Sequence, residues 1–238
     1  MFRALTIGMM ATLIISSAAM AESPAAVSRT GCDLSPGIIA KIQRQLRPTT
    51  RLPDANGGIF KPNRMWSAIV DRDGTLCSII NTDASNGDAW PGSREIAIAK
   101  AETANDFSNS ALALSTANLY APTQPGGSLF GLNNSNPFNP AFREGGRPPV
   151  RNPGGIITFG GGVALYGPKG TVIGGLGVSG DTSCADHAIA YRMRKAAGFD
   201  GIPAGVAPGN TDNIIYAPTG QTPTGYQQPH CAASDITP

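Results

Sequence analysis

Apolar positions change their period several times along this chain, and each change marks an element. Ile39, Ile42 and Leu46 recur at i, i+3 and i+7, the stripe of a helix that Ser35 caps, Pro36 opens and Pro48 closes. The polar stretch 49–63 reads as a loop. Two β-rich runs, 65–70 and 75–80, flank Asp71-Arg72-Asp73-Gly74. The Asp-Gly pair supplies the positive φ of a tight reversal, so the two runs form a β-hairpin. A turn-rich connector, 81–92, follows. Ser93 then caps a helix reaching about Phe107, with Glu95 in the first turn, where the dipole favours an acid. Ile96, Thr103 and Phe107 line one face of that helix, and Lys100 falls on the same face.

A shorter helix or coil over 110–120 leads into residues 121–155, which are loaded with Pro, Gly and Asn. Irregular stretches of that length inside a domain are typically lids or insertions. Three further β-rich runs come next, at 156–159, 163–166 and 171–178, the last two joined through Gly167-Pro168-Lys169-Gly170. Asp181, Thr182 or Ser183 caps a final helix whose stripe is Ala185, Ile189, Met193 and Ala196. Arg192, Arg194 and Lys195 gather in its last turns, and Gly198 stops it. The tail 199–238 is rich in Pro, Gly and Thr, and wraps the domain or stays loose unless Cys231 pins it. Strands arriving as hairpins, with helices between and after them, predict an α+β fold. The expected architecture is an antiparallel sheet of about five strands flanked by α-helices, a profilin-like layered domain over 22–198.

Composition sharpens this picture in three places. Arg3, the apolar stretch 6–16 and Ala19-Met20-Ala21 form a removable export signal over 1–21, cleaved near Ala21, which directs the chain to the periplasm or the medium. Its apolar run is shorter than the ~20 residues a bilayer requires, so no membrane anchor is expected. A net charge of +2 with 14% charged residues leaves no basic stripe for nucleic acid. The four cysteines, Cys32, Cys77, Cys184 and Cys231, are an even set in an exported chain and predict two disulfides, with three pairings open.

Several residues carry candidate chemistry. The glycine runs at 160–162 and 174–177 suggest a phosphate loop, but neither sits where a strand opens a helix. Bulges or close strand–helix approach explain them better. Gly177-Val178-Ser179-Gly180 ends a strand and leads into a helix start near Asp181, Thr182, Ser183 and Asp186. Free N–H groups there either meet a ligand carboxylate or are capped by the chain itself. Ser179 lies outside a GxSxG elbow, which argues against a nucleophile. His187 stands about 200° around the helix from Ile189, away from the core stripe. That places it toward solvent or an interface, as a bystander or as a neutral imidazole able to ligate haem iron or another metal. His230 is incidental, Tyr166 and Tyr191 are possible macrocycle contacts, and Met193 belongs to the core. Lys100 either snorkels outward or meets an anionic ligand group. The chain contains no HExxH, CxxCH, EF-hand or Walker lysine.

Three segments, read in order, resemble the GlcG/HbpS-type haem-binding family, which includes the C-terminal domain of PduO proteins. They are Ala68-Ile69-Val70-Asp71-Arg72-Asp73-Gly74; the helix carrying Lys100-Ala101 and Thr103-Ala104; and Gly161-Gly162-Val163 followed by Val172-Ile173-Gly174-Gly175-Leu176-Gly177-Val178-Ser179-Gly180 and Asp186. The resemblance spans about 35–198 and departs at Ala164, where the family has proline, and in the enlarged 121–155 stretch. It implies an antiparallel sheet with helices, a homo-oligomer, and binding of haem or a related tetrapyrrole. Lys100, Ser179, Gly180 and Asp186 are then expected to face ligand carboxylates. His187, directly after the matching Asp186, is the candidate iron ligand on the reading of its helix. Two rival functions stay open: an enzyme acting on haem or a small organic acid, and a structural or sensory oligomer without ligand.

Overall fold

The structure, a computed structural model, describes residues 31–82, 89–139, 150–151 and 154–238, with only the backbone at 150–151. The predicted export signal lies outside these residues. Among the described residues, no helix is long and apolar enough to cross a membrane.

The elements follow the chain as α1 (Pro36–Gln43), α2 (Leu46–Thr50), β1 (Trp66–Asp71), β2 (Thr75–Asn81), α3 (Ser93–Asp106), α4 (Tyr120–Thr123), β3 (Val150–Arg151), β4 (Gly162–Tyr166), β5 (Val172–Ser179) and α5 (Ser183–Ala196). Four full strands and the two-residue β3 form one antiparallel sheet in the order β3-β2-β1-β5-β4. The hairpin forms as the Asp-Gly signal predicts, with Gly74 at φ 75°. Asp71 organises it, because Oδ1 accepts from Asp73 N and Thr75 N at 3.1 and 2.8 Å.

Alternation along the strands sorts the core into two layers. Ile69, Leu176, Val178, Val163 and Leu165 pack with Ile42, Ile189 and Met193 on the side of α1 and α5. Ala68 and Val70 pack on the other side with Ala97, Ile98 and Ala101 of α3. On that second face β5 presents glycines. A Cβ at Gly177 would collide with the Ala97 carbonyl oxygen, and one at Gly175 with that of Ala101. The glycine run therefore permits close approach of α3 to the sheet.

Some expectations are corrected. Pro48 does not close α1; the chain breaks after Gln43, and Pro48 sits in the first turn of α2, where a missing N–H costs nothing. Ser93 is the first residue of α3 rather than its cap. Run 156–159 is not a strand, because Ile157 N donates to the Thr103 hydroxyl (3.1 Å) and the left-handed Gly154 and Gly155 precede it. The fifth strand is β3, inside the stretch expected to be irregular. Segment 110–120 resolves into a 3-10 turn, Thr116–Leu119, that runs into α4. The stripe of α5 ends on Met193 and Ala197, and Ala196 is exposed.

Two disulfides settle the pairing. Cys32–Cys77 ties the chain before α1 to β2, and Cys184–Cys231 ties the tail to the start of α5. The tail wraps the domain, with Tyr216 bridging Gln228 and Ser234 Oγ donating to Gly57 O (2.8 Å).

Gly177→Ala should lower unfolding free energy by about 2–4 kcal/mol in chemical denaturation, since backbone rather than a flexible side chain blocks the added methyl. Gly92→Ala, with nothing within 4 Å of its Cβ position, should change it by less than about 0.5 kcal/mol.

Candidate functional site

Lys100 and Asp186, two of the residues singled out from sequence, meet where β5 ends and β4 begins. Lys100 projects from α3 on one face of the sheet, and Asp186 sits in the first turn of α5 on the other. They meet as a fully buried ion pair, Nζ to Oδ2 at 2.6 Å, with Nζ also donating to the Val178 carbonyl at 3.3 Å. The Phe159 ring lies 4.9 Å from the ammonium. Gly161, at φ 126°, leaves the space through which the two meet. A Cβ there would press on the Val178 carbonyl, Lys100 Nζ and Asp186 Cβ. Burial pushes the Asp186 carboxyl up to about 6, with Lys100 resisting, and burial lowers Lys100 while Asp186 resists. Lys100 thus neither snorkels nor reaches toward solvent; it carries 0% exposure.

Ser179 and Gly180 follow Val178, which accepts from Lys100, and are buried as well. The N–H groups expected to receive a ligand carboxylate are taken by the chain's own side chains. Asp186 Oδ1 accepts from Asp181 N (3.0 Å), Asp181 Oδ1 from Thr182 N (2.7 Å), and Thr182 Oγ1 from Ala185 N (3.2 Å). Thr182 is therefore the cap among the three candidates. Asp181 also holds residues 59–63, accepting from Ile59 N, Phe60 N and Asn63 Nδ2 at 2.9–3.1 Å.

His187 does not face solvent: it is 0% exposed. The tail covers the back of α5, so a face that reads as outward from periodicity is interior. Nε2 lies 3.0 Å from both Asn213 Oδ1 and Ile214 N, while Nδ1 has no partner. Burial drives the imidazole down to about 4, so it is neutral near pH 7. Gln228 completes the cover, accepting from Gly160 N (2.7 Å) and donating to Ser183 Oγ (3.0 Å). Tyr166 is buried, its hydroxyl donating to Asn109 O (2.9 Å), and Met193 belongs to the core. Tyr191 is half-buried with its ring 5.8 Å from His187, and His230 stacks on Tyr216 at 4.3 Å.

Three features escaped the sequence. Arg194 is wholly buried in a bidentate pair with Asp212 (2.6 and 2.5 Å) and donates to Ala164 O. From sequence it reads only as a helix-end cation. Glu102 on α3 is 5% exposed and its Oε2 has no partner. Burial pushes it up to about 8, with Asp106 and Asp71 adding to the shift. The third is an open groove of about 630 Å³ between residues 119–129 and 222–226, lined mainly by apolar residues that include Phe107, Leu114, Leu119, Pro122, Leu129 and Tyr226. It does not coincide with the Lys100–Asp186 pair. Residues 158–160 join the two, since Thr158 bonds Thr123 beside the groove (2.9 Å) and Gly160 packs on His187. Among the described residues, the clusters with metal-ligand spacing contain Cys32 with Cys77 and Cys184 with Cys231, whose sulfurs are spent in disulfides and offer no thiolate.

The family described as haem degrading protein HbpS-like matches residues 61–194, just over half of the chain. No curated protein matches it. Among solved structures, a PduOC:haem complex is 28% identical with a TM-score of 0.50, covering 68% of this chain and 94% of its own. Klebsiella pneumoniae protein ORFY is 23% identical with a TM-score of 0.51, covering 72% and 95%. HbpS is 19% identical with a TM-score of 0.38, covering 75% and 96%.

Lys100→Met should cost about 3–5 kcal/mol, because it strands a buried carboxyl, and Lys100→Met/Asp186→Leu should cost clearly less than the two single changes added together. A double-mutant cycle by denaturation measures this. Glu102 gives a pH signature. Its folded value of about 8 exceeds the ordinary 4.5, so the folded state holds a proton that the unfolded state has released. Stability is lost as pH rises between those values. Glu102→Gln should raise the melting temperature by several degrees at pH 8 and leave it unchanged at pH 4.5.

Proposed function

The chain belongs to the HbpS-like family of haem degrading proteins, and we propose that it is an exported protein that binds haem or a related tetrapyrrole in the apolar groove. The groove itself carries this reading. Its volume of about 630 Å³ falls within the range of small-molecule sites, which are mostly apolar with a few placed polar groups. A porphyrin face would lie against Leu114, Leu119 and Leu129, with its propionates toward the open mouth. Tyr226, 44% exposed at the rim, is the residue in the groove able to ligate ferric iron, since a phenolate is an established haem ligand. The 28% identical PduOC:haem complex supports haem as the ligand class. Two disulfides fit an oxidising compartment and support export.

On this reading Lys100, Ser179, Gly180 and Asp186 do not touch the ligand; they hold residues 159–161, which follow Thr158 beside the groove. Binding rather than turnover is the core property, because the described lining residues offer no acid–base pair. A second reading keeps His187 as the iron ligand once the tail is displaced. One observation favours it, the neutral imidazole with an unpartnered Nδ1. A homo-oligomer belongs to the proposal as the family expectation.

Haemin titration of the purified protein, followed by absorbance, tests both readings. A saturable Soret shift is expected, kept in His187→Ala and weakened about tenfold or more in Leu129→Glu, which puts a charge into the groove. A shift lost in His187→Ala but kept in Leu129→Glu would move the ligand to His187. No shift in the parent would remove haem from the account.

A further inference from the structure

The two disulfides stand in different surroundings. Cys32 and Cys77 are both half-buried and pack against the apolar core. Cys231, by contrast, is exposed, while its partner Cys184 lies in the first turn of α5 at 2% exposure. We propose that Cys184–Cys231 is a thiol–disulfide exchange site for a dithiol reductant, and that opening it uncovers His187. Neither sulfur lines the groove, and Cys231 lies outside residues 61–194, which match the family.

Hydrogen-bond donors around the two sulfurs carry the argument. Cys231 Sγ accepts from Cys184 N and from the Ser183 hydroxyl, each at 3.2 Å. Gln228 Nε2 lies 3.4 Å from Cys184 Sγ and 3.8 Å from Cys231 Sγ. A disulfide sulfur is a weak acceptor, so these donors gain most when the sulfur carries a negative charge. Asp235 has an oxygen within 4.8 Å of both sulfurs and opposes that charge, but its Oδ2 is engaged by Cys231 N and Ala232 N at 2.6 and 3.1 Å. Among the described residues Cys32–Cys77 has less support. Leu34 N donates to Cys32 Sγ at 3.3 Å, and a thiolate there would face apolar side chains and Asp71. The exchange is two substitutions at sulfur. A thiolate of the reductant attacks the exposed Cys231 sulfur, the Cys184–Cys231 bond breaks, and Cys184 leaves as a thiolate beside Gln228 Nε2. The reductant's second thiol then attacks its own sulfur in the mixed disulfide and frees Cys231 as a thiolate under Cys184 N and Ser183. The protein gains two electrons and two protons, and the reductant departs as its own disulfide.

Cys231 anchors the segments that hold the cover of His187. Beyond it, Pro238 O accepts from Asn213 Nδ2 at 2.8 Å, and Ile236 O from the Tyr216 hydroxyl at 3.0 Å. Asn213 and Ile214 are the residues against His187 Nε2, each at 3.0 Å. Before it, Gln228 accepts from Gly160 N, and Gly160 packs on His187. The disulfide closes a loop of 47 positions around these contacts, so opening it returns chain freedom on both sides of the imidazole. Asp212 keeps its pair with the buried Arg194. The tail therefore loosens from residue 213 onward and does not leave the domain.

Four cysteines and two histidines give separate readouts. The purified, oxidised protein is incubated with rising dithiothreitol in the absence of denaturant, blocked with iodoacetamide and mapped by mass. Cys184 and Cys231 should be blocked at a dithiothreitol concentration about tenfold or more below that needed for Cys32 and Cys77. Ser183→Ala should raise the concentration needed by about threefold, since one donor to the Cys231 thiolate is gone. Diethyl pyrocarbonate then reports the histidines. His230, its side chain 40% exposed, should react in both redox states and serves as the reference. His187 should react only after reduction, with the circular dichroism unchanged, and should react without reductant in Cys184→Ser/Cys231→Ser. Opening of both disulfides at one concentration, or of Cys32–Cys77 first, would overturn the exchange site. His187 still protected in the parent once Cys184 and Cys231 are blocked would overturn its uncovering, and this measurement holds even if the double variant fails to fold.

Discussion

The two helical layers of this domain meet through a buried charge pair, Lys100–Asp186, at the end of the sheet. A charge pair at 0% and 2% exposure is tolerated only when its remaining bonding capacity is filled, and here it is, by Val178 O on the lysine and Asp181 N on the carboxylate. Much of the local sequence follows from that requirement. Gly161 must lack a side chain for the two to meet, and Gly162 must lack one because Lys100 O and Thr116 crowd it. Asp181, whose N–H is given to Asp186, uses its own carboxylate to hold residues 59–63.

Glycines, often read as flexible points, here mark positions where a side chain would collide with neighbouring backbone. Their absent side chains let α3 lie against β5 and let residues 160–162 cross the ion pair. Backbone meets backbone at these points, where a side chain would hold the elements apart.

The sequence was most legible where structure is local. The Asp-Gly turn, the Ser35 cap and the Gly198 stop need only neighbouring residues and form as expected, and Thr182 is the cap among the three candidates before α5. It was less legible where a partner lies far along the chain. Lys100 could be read as snorkelling or ligand-facing because its carboxylate is 86 positions away. Periodicity places His187 outward because it reports one packed face, whereas α5 has two. The second face is covered by an aperiodic Pro/Gly segment whose contacts are backbone groups and amides such as Asn213 and Gln228. The β-rich run 156–159 misled for a related reason: a threonine hydroxyl supplies the bond that a neighbouring strand would have given. The groove is assembled from segments about a hundred residues apart in sequence, and no spacing rule points to it.

The tail has a consequence for the order in which the protein can mature. Segment 212–231 supplies Asp212 to the buried Arg194, covers His187, and carries the sulfur that bridges to Cys184. In a chain delivered N-terminus first these contacts are made last, because residues 212–231 follow every strand and helix of the fold. A chain threaded through a membrane from its N-terminus could form both helical layers and the first disulfide while a buried cation and one whole side of α5 still faced water. Maturation would then pass through an intermediate with a sticky helix face and one unpaired thiol. In such a protein a chaperone or thiol oxidant in the receiving compartment would act on the final step of folding, not on the formation of the sheet.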